Sequence, residues 1–353
     1  MSTTIKLPGI TSRQVQTERI NMHILTSGPP AGTAVLFVHG NCSSAGFWDE
    51  TMLALPEGYH AIAPDLRGYG TTEALPVDAT LGLDDMVADI RSLVESLGLC
   101  PFHIVGHSMG GGIVMKYAIA YSDQLLSITL VDSMSPFGFG GSNGDDGRPN
   151  YEDGATGGAA VANPDFVRLL GDKESGSEDP MAPLNVMRQF YVKPPFVPER
   201  EEALLEAMLS TCVGDDSYPG NSIPSQNWPG AAPGEKGVAN AFSRRYFDAS
   251  GIADIEPKPP VLWIRGADDL VVSDNSLWDI AALGALDLVP GWPGADECPP
   301  QPMLQQIRAV LENYEQNGGS YSEVVIDDAG HSPFIEKPGE FAAVFHSHLD
   351  TNK

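Results

Sequence analysis

The stretch that decides the fold is FHIVGHSMGGGIVMKYA, residues 102–118, in which Gly-His-Ser-Met-Gly occupies residues 106–110. A short apolar run typical of a strand precedes the serine, and a longer apolar run typical of a helix follows it. Glycines on both sides permit a sharp turn between the two elements, with Ser108 at the turn. The stretch therefore predicts a strand, a tight turn and a helix. It leaves two interpretations of Ser108, a nucleophile or a structural residue of the turn.

The same alternation of patterns continues on both sides of this stretch. Apolar runs at residues 33–40, 60–66 and 127–133 are typical of buried strands. Residues 83–98 have the apolar spacing of a helix and end in glycine. Because strands that alternate with helices favour a parallel, doubly wound sheet, we predict an α/β fold with helices on both faces of a mostly parallel sheet.

The alternation stops after the strand pattern at 127–133 and returns at 260–266. Residues 136–163 are rich in Gly, Asp and Asn without periodicity, which predicts a long loop, and its acidic stretch at 143–154 is interpreted as solvated. Helix-like pieces follow, and an inserted cap is the simplest explanation. The predicted domains are an α/β core in two parts, residues 1–133 and 257–353, and a mainly helical cap or lid inserted between them, residues 134–256.

The charge of the chain restricts its partners. The 353 residues include 20 Lys and Arg against 47 Asp and Glu, a formal net charge of −27. A field of this sign repels nucleic acid and anionic membranes, and it opposes anionic ligands. Neutral or cationic substrates fit this charge better, and a neutral, apolar or aromatic small molecule is the expected partner. A second insertion at 288–303, rich in proline, is a candidate contact surface for a homo-oligomer.

Cysteine spacing and hydropathy predict a cytoplasmic protein with reduced thiols. The four cysteines are scattered, the first residues contain no apolar signal segment, and no apolar run reaches the roughly 18 residues of a membrane span. Two patterns with metal-binding character are interpreted as surface structure. HSHLD at 346–350 lies three residues from the end, and the acidic stretch 143–154 lacks EF-hand spacing. Neither a cofactor nor a metal is predicted.

A nucleophilic serine needs a general base and an acid that orients the base. His331 follows an apolar strand near the C-terminus and is the candidate base. Three acids come directly after strands: Asp132, Asp268 and Asp269. From the residues alone, each of the three could hold the imidazole.

Four motifs carry a resemblance to a known family: VHGNCSSAGFW, APDLRGYGTT, VGHSMGG and GHSPFIEKPGEF. Together they resemble those of the α/β-hydrolase-fold serine hydrolases, in their cap-bearing esterase and lactonase group. The resemblance covers residues 15–132 and 258–349 and leaves the cap unmatched. It implies a core sheet that carries a catalytic triad and hydrolysis through an acyl-enzyme.

The triad that the resemblance implies is Ser108, Asp269 and His331. The family's Gly-x-x-Asp pattern falls on residues 266–269, which selects Asp269 over its neighbour. Some relatives carry the acid after the strand that here ends at Asp132, so Asp132 remains the runner-up. The implied oxyanion hole uses backbone N–H groups.

Two residues supply those N–H groups in the resemblance, Asn41 and Met109. The first belongs to the His-Gly-Asn loop and the second follows the predicted nucleophile. His39, His103 and His107 are interpreted as structural residues.

A serine at the turn narrows the chemistry that the resemblance implies. Relatives that open epoxides or displace halide carry aspartate there, whereas serine with histidine and aspartate suits acyl transfer. The prediction is hydrolysis of an ester or lactone of an apolar or aromatic molecule. The alternatives are C–C bond hydrolysis of a dione-type substrate and a non-catalytic small-molecule receptor on the same fold. Candidate pocket residues from the cap are Phe137, Phe139, Phe190, Tyr191, Phe196 and Trp228.

Overall fold

A computed structural model describes residues 7–353 of the chain. The strands in chain order are β1 (Thr11–Gln16), β2 (Asn21–Ser27), β3 (Thr33–Val38), β4 (Tyr59–Pro64), β5 (Phe102–His107), β6 (Leu125–Val131), β7 (Ser142–Asn143), β8 (Arg148–Pro149), β9 (Val213–Gly214), β10 (Tyr218–Pro219), β11 (Ser222–Pro224), β12 (Ala231–Pro233), β13 (Val261–Gly266) and β14 (Tyr321–Ile326). The α-helices are α1 (Asp49–Leu53), α2 (Asp84–Leu97), α3 (Met109–Tyr121), α4 (Pro164–Gly171), α5 (Pro183–Val186), α6 (Glu201–Leu209), α7 (Val238–Ala241), α8 (Ile280–Ala285), α9 (Met303–Gln316), α10 (Pro333–Glu336) and α11 (Pro338–Thr351). Shorter 3₁₀ turns lie at Ala45–Trp48, Ala79–Leu81, Ser122–Gln124, Gly158–Val161 and Ser250–Asp254, and a π-helical turn lies at Met187–Tyr191.

The central sheet confirms the predicted α/β fold class. Its eight strands have the order β1-β2-β4-β3-β5-β6-β13-β14. The pairs β1–β2 and β2–β4 are antiparallel, and the remaining neighbours are parallel. The carboxyl ends of β3, β5, β6, β13 and β14 therefore lie at one edge of the sheet, where a doubly wound fold places its site.

Helix α2 illustrates how the sequence pattern produces the packing. Its apolar residues recur every three or four positions and are buried, and it ends at Gly98 with φ 65°, the left-handed cap that glycine favours. The buried apolar residues form two large clusters, as expected when helices cover both faces of a sheet. These clusters hold the sheet edge, and thus the site, in a fixed geometry.

The segment between β6 and β13 contains short helices together with three two-stranded sheets. The helix-like pieces of the sequence correspond to α4, α5 with the π-helical turn, and α6. The extent of the cap, 134–256, stays a prediction.

The first part of the predicted loop at 136–163 is buried, whereas two aspartates of its acidic stretch are exposed, as the interpretation of that stretch as solvated requires. Almost all of residues 136–142 are buried, and the exposed aspartates are Asp145 and Asp146. Two glutamines hold this buried backbone. Gln301 bonds both Gly138 O and Gly140 N, and Gln306 donates to Gly144 O at 3.0 Å. Buried polar backbone without sheet or helix partners needs such side-chain partners, and the sequence pattern did not reveal them.

The insertion at 288–303 contacts the chain itself. Trp292 Nε1 donates to Cys298 O within the insertion, and Trp228 Nε1 donates to Pro290 O. Its role in a homo-oligomer stays a prediction. All four cysteines are unpaired. Within residues 7–353 no helix combines the length and the apolarity that crossing a bilayer requires.

Candidate active site

Ser108 occupies the sharp turn between β5 and α3. Its backbone has φ 55° and ψ −121°, a conformation that a residue with a side chain rarely adopts. Hydrogen bonds hold the turn in this conformation: Ser108 N donates to Val131 O at 3.0 Å, and Ser108 O accepts from Gly111 N and Met134 N. The strain and its support are those expected of a turn that presents a nucleophile.

Glycines surround this turn because no space is left for side chains. A Cβ atom at Gly110 would lie 2.4 Å from Val38 O, and one at Gly106 would lie 2.4 Å from Gly110 O. A Cβ at Gly40 would lie 2.9 Å from the Cβ of Ser108. The loop after β3, termed the oxyanion loop because it carries the predicted oxyanion-hole residue Asn41, and the turn after β5 are therefore packed backbone against backbone.

His331 and Asp269 form a buried hydrogen-bonded pair. His331 Nδ1 lies 2.8 Å from Asp269 Oδ2, and both side chains are 3% exposed. The other carboxylate oxygen, Oδ1, accepts from Val271 N at 2.7 Å and from Val272 N at 3.0 Å. A carboxylate only accepts hydrogen bonds, so Nδ1 carries the hydrogen and Nε2 is the nitrogen left to accept a proton.

The three acids that the sequence left open have different environments. Asp268 is half-exposed and pairs with Lys193 Nζ at 2.8 Å, away from the imidazole. Asp132 is buried and accepts from Gly266 N at 2.9 Å. Burial, with Asp269 nearby, raises the pKa of Asp132 well above its ordinary value. Of the three, Asp269 alone bonds His331 within the described residues.

Asp132, Asp269 and His331 are also the group of metal-type side chains whose donor atoms lie within 4.8 Å of one another in the part of the chain that the structure describes. The His331 Nδ1 already donates to Asp269, so this nitrogen has no lone pair available for a metal ion.

The predicted oxyanion-hole residues lie on two segments that meet at the turn. Met109 is the first residue of α3, so its N–H belongs to the unpaired amides of a helix N-terminus. The peptide before Asn41 is held through its carbonyl: Gly40 O accepts from His39 Nδ1 at 2.8 Å and from Ser43 Oγ at 2.9 Å. Because a trans peptide is planar, these bonds also fix the direction of the Asn41 N–H.

His39 has the structural environment expected of it. Its Nε2 accepts from Leu66 N at 3.0 Å, which leaves the hydrogen on Nδ1 for the bond to Gly40 O. Burial lowers the pKa of His39, so the ring stays neutral and keeps this tautomer.

Two tyrosines that the sequence did not assign to the oxyanion loop bond Asn41. Tyr69 OH donates to Asn41 Oδ1 at 2.7 Å, and Tyr191 OH donates to Asn41 O at 2.9 Å. The Tyr191 ring also lies edge-on to the His331 ring, with centroids 6.1 Å apart. Tyr191, which lies in the segment between β6 and β13, thus contacts both the predicted oxyanion-hole residue Asn41 and the predicted base His331.

Two further residues hold the loop of His331. His107 Nε2 donates to His331 O at 2.7 Å. The buried Glu336 accepts from Gly330 N at 2.8 Å and from Lys193 N at 2.7 Å, which ties the loop to the segment after the π-helical turn. The sequence contains no sign of this contact beyond the presence of Glu336 in the motif GHSPFIEKP.

A cavity of about 300 Å³ opens above Ser108. Asn41, Met109 and His331 line it beside the serine, together with apolar residues from distant segments. Three of the six predicted cap aromatics are among its lining residues and three are not: Phe139, Phe190 and Tyr191 line it, and Phe137, Phe196 and Trp228 do not. The aromatic lining residues that sequence reasoning missed are Phe166, Tyr218, Phe242 and Trp278. No Lys, Arg, Asp or Glu lines this cavity within residues 7–353.

Known proteins resemble this chain in sequence and fold. A family model described as alpha/beta hydrolase fold matches residues 33–298. "Epoxide hydrolase 2" of Siraitia grosvenorii is 35% identical over 115 residues, which are 32% of this chain and 36% of that protein. "2-hydroxy-6-oxo-6-phenylhexa-2,4-dienoate hydrolase" of Burkholderia cepacia is 31% identical over 145 residues, 40% of this chain and 48% of that protein. The chain therefore matches between a third and a half of the length of these relatives.

Solved structures match nearly the whole chain. An esterase from Exiguobacterium antarcticum superposes with a TM-score of 0.61 at 16% identity and covers 96% of this chain and 100% of that one. A thermophilic esterase from Thermogutta terrifontis superposes with a TM-score of 0.59 at 20% identity and covers 97% of this chain and 98% of that one. At these identities the likeness concerns the fold. The matched family model spans most of the chain, and the protein therefore belongs to the α/β-hydrolase fold family.

Proposed function

We propose that this protein is a serine hydrolase that cleaves the ester or lactone bond of a neutral, apolar or aromatic small molecule. The observation that carries the proposal is that Ser108 and His331 line one apolar cavity, with His331 held by Asp269 from behind. A serine and an imidazole that line one cavity, with a carboxylate bonded to the imidazole, are the groups that acyl transfer requires.

The proposed reaction proceeds through an acyl-enzyme. Ser108 Oγ attacks the carbonyl carbon while His331 Nε2 takes its proton, since Nδ1 is engaged with Asp269. The N–H groups of Met109 and Asn41 would stabilise the oxyanion, a contribution of about 3 kcal/mol for each donor. His331 then protonates the leaving alkoxide, and a water molecule activated by the same ring hydrolyses the acyl-enzyme.

The cavity supports a neutral substrate. Its lining contains aromatic, aliphatic and uncharged polar side chains, and the chain as a whole carries −27 charges. An anionic substrate would lose its hydration in such a cavity without gaining a cationic partner, which is strongly unfavourable. A volume of about 300 Å³ lies at the lower end of the range for small-molecule sites, so a compact acyl group suits it.

C–C bond hydrolysis is the second candidate, because the Burkholderia cepacia relative is named for it. The substrate in that name is a dienoate, which carries a carboxylate. The uncharged lining argues against such a substrate here. The epoxide chemistry named for the Siraitia relative does not suit a serine at the turn. A non-catalytic receptor is the third candidate and would bind the same neutral molecules.

The test is acid release in a pH-stat from neutral aromatic and short esters, small lactones, macrolactones and a dione-type dienoate. Wild type is compared with Ser108→Ala and with the control Ser96→Ala, whose hydroxyl donates to Ser92 O on helix α2. We expect turnover of esters or lactones by wild type and the control, and a loss of at least about 10³-fold in Ser108→Ala. Turnover of the dienoate alone would replace the proposal with C–C hydrolysis. Binding of esters or lactones without turnover would identify a receptor.

A further inference from the structure

A second buried carboxyl group lies behind His331 and is not used in the reaction above. Asp132 follows β6 and is 1% exposed. Its Oδ1 accepts from Gly266 N, whereas its Oδ2 has no hydrogen-bond partner among the groups of residues 7–353. One oxygen each of Asp132 and Asp269 and one ring nitrogen of His331 lie within 4.8 Å of one another. Two ionised carboxylates so close in the protein interior would repel each other strongly, so one of them is expected to hold a proton.

The hydrogen bonds indicate which of the two is ionised. Asp269 accepts three bonds, from Val271 N, Val272 N and His331 Nδ1, and donors of this kind favour the charged carboxylate. Asp132 accepts one bond, from Gly266 N. Asp132 is therefore the member of the pair that stays neutral.

The electrostatics of the surroundings agree with this assignment. Burial raises the pKa of Asp132 well above its ordinary value, and the charge of Asp269 raises it further, as does Glu336 more weakly. Two further titratable groups beside the cluster are His107, whose ring centroid is 4.7 Å from that of His331, and Tyr191, whose centroid is 6.1 Å from it. Burial raises the pKa of Tyr191, so it stays neutral. Burial lowers the pKa of His107, so it adds no positive charge that would ionise Asp132.

We propose that Asp132 is a neutral positioning residue whose Oδ2–H donates a hydrogen bond to the Asp269 carboxylate and holds it against His331. One oxygen of Asp269 lies within 4.8 Å of one oxygen of Asp132. The bond gives the unpartnered Oδ2 an acceptor and stabilises the charge of Asp269. It also leaves one negative charge, rather than two, facing the imidazolium that forms when Ser108 attacks.

This role rests on the proposed hydrolase function, and two substitutions of Asp132 test it through activity. Asp132→Asn keeps an N–H donor towards Asp269 and an acceptor for Gly266 N, and asparagine tolerates the φ of 40° at this position. Asp132→Ala removes the donor. We expect Asp132→Ala to lower kcat about 10- to 100-fold with KM little changed, the range for a lost hydrogen bond to a charged group. Asp132→Asn should keep kcat within about fivefold of wild type, since the neutral amide N–H of asparagine replaces the neutral carboxylic O–H as the donor to Asp269.

The pH profile of kcat/KM separates positioning from a purely structural role. Without its donor, Asp269 attracts the imidazolium more strongly, so the acidic limb of Asp132→Ala should move to higher pH while that of Asp132→Asn stays in place. A loss of about 10⁴-fold in Asp132→Asn would identify Asp132 as the ionised orienting acid and overturn the proposal. Equal losses in both variants with unshifted limbs would overturn it as well.

An infrared difference spectrum of the resting protein tests the protonation state without catalysis. Wild type minus Asp132→Asn at pH 7 should contain the carbonyl stretch of a protonated carboxylic acid. A spectrum with only carboxylate bands would overturn the proposal. If the carbonyl band is present and no hydrolysis is found, the proposed function fails while the protonated state of Asp132 stands. Because the band is read on the folded Asn variant, a misfolded Ala variant would not affect this result.

Discussion

Asp268 and Asp269 are neighbours in the chain but have opposite environments. The Asp269 carboxylate is buried against His331, and that of Asp268 pairs with Lys193 at the surface. Exposed pairs contribute about 1 kcal/mol or less, whereas an acid that holds a catalytic imidazole sets its tautomer. The two positions therefore form a matched pair for a test at the level of single residues.

Asp269→Asn should lower kcat on the best ester substrate about 10⁴-fold, because an amide at this position no longer holds the His331 tautomer with its proton on Nδ1. Asp268→Asn, the control, should change kcat less than about threefold, since it loses one exposed ion pair. Steady-state kinetics of the two variants measure the difference. Near-wild-type activity of Asp269→Asn would refute the assignment of Asp269 as the orienting acid.

At the level of elements, the strand–turn–helix unit around Ser108 depends on the close approach of backbones. Gly110 is in the first turn of α3, and its missing side chain allows contact with the carbonyl groups at the end of β3. This contact sets the position of the turn relative to the oxyanion loop after β3. A change in the spacing between these two elements should therefore affect both stability and catalysis.

Gly110→Ala should destabilise the protein by about 1–3 kcal/mol, the usual effect of overpacking, because its Cβ would lie 2.4 Å from Val38 O. It should also reduce kcat/KM, since the turn and the oxyanion loop are pushed apart. Gly339→Ala in α11 is the control, because no atom lies within 4 Å of its added Cβ. Urea unfolding and ester kinetics measure both effects. A Gly110→Ala variant as stable as Gly339→Ala would contradict the packing argument.

For the whole molecule, buried neutral histidines couple folding to pH. Burial lowers the pKa of His103 to about 4, and that of His348 likewise to about 4. Between pH 6.5 and 4 the unfolded chain binds protons at these positions that the folded chain does not. Stability contributed by the neutral state is therefore present above about pH 6.5 and is lost as the pH falls towards 4.

His103→Asn should flatten this dependence. Folding lowers the pKa of His103 from 6.5 to about 4. Between these two pH values the unfolding free energy of the variant should therefore fall by up to about 3 kcal/mol less than that of wild type. Part of the slope should remain, because His348 is still present. Urea unfolding of wild type and variant at several pH values from 4.5 to 7 measures the slopes. Parallel curves would show that His103 does not stay neutral in the folded state.

Much of the core sheet could be predicted from the sequence, because strand and helix patterns depend on residues that are neighbours in the chain. The apolar runs and the glycine-bounded serine correspond to β3, β4, β5, α3 and β6 within a few residues. A resemblance in four motifs identified the family, and the residues predicted for the triad and oxyanion hole come together at one end of the sheet. The assignment of roles within that group, and the extent of the cap, stay predictions.

The sequence by itself determined the sheet, the turn and the order of the candidate residues, because strand and helix periodicity and the need for glycine act over a few neighbouring positions. The tertiary structure decided which acid contacts His331, that Asp132 lies close to Asp269, and which aromatics line the cavity. Those facts depend on side chains far apart in the chain that meet only when the sheet and the segment after β6 pack together. Burial then sets their charge states, since desolvation has no counterpart in the linear order of residues.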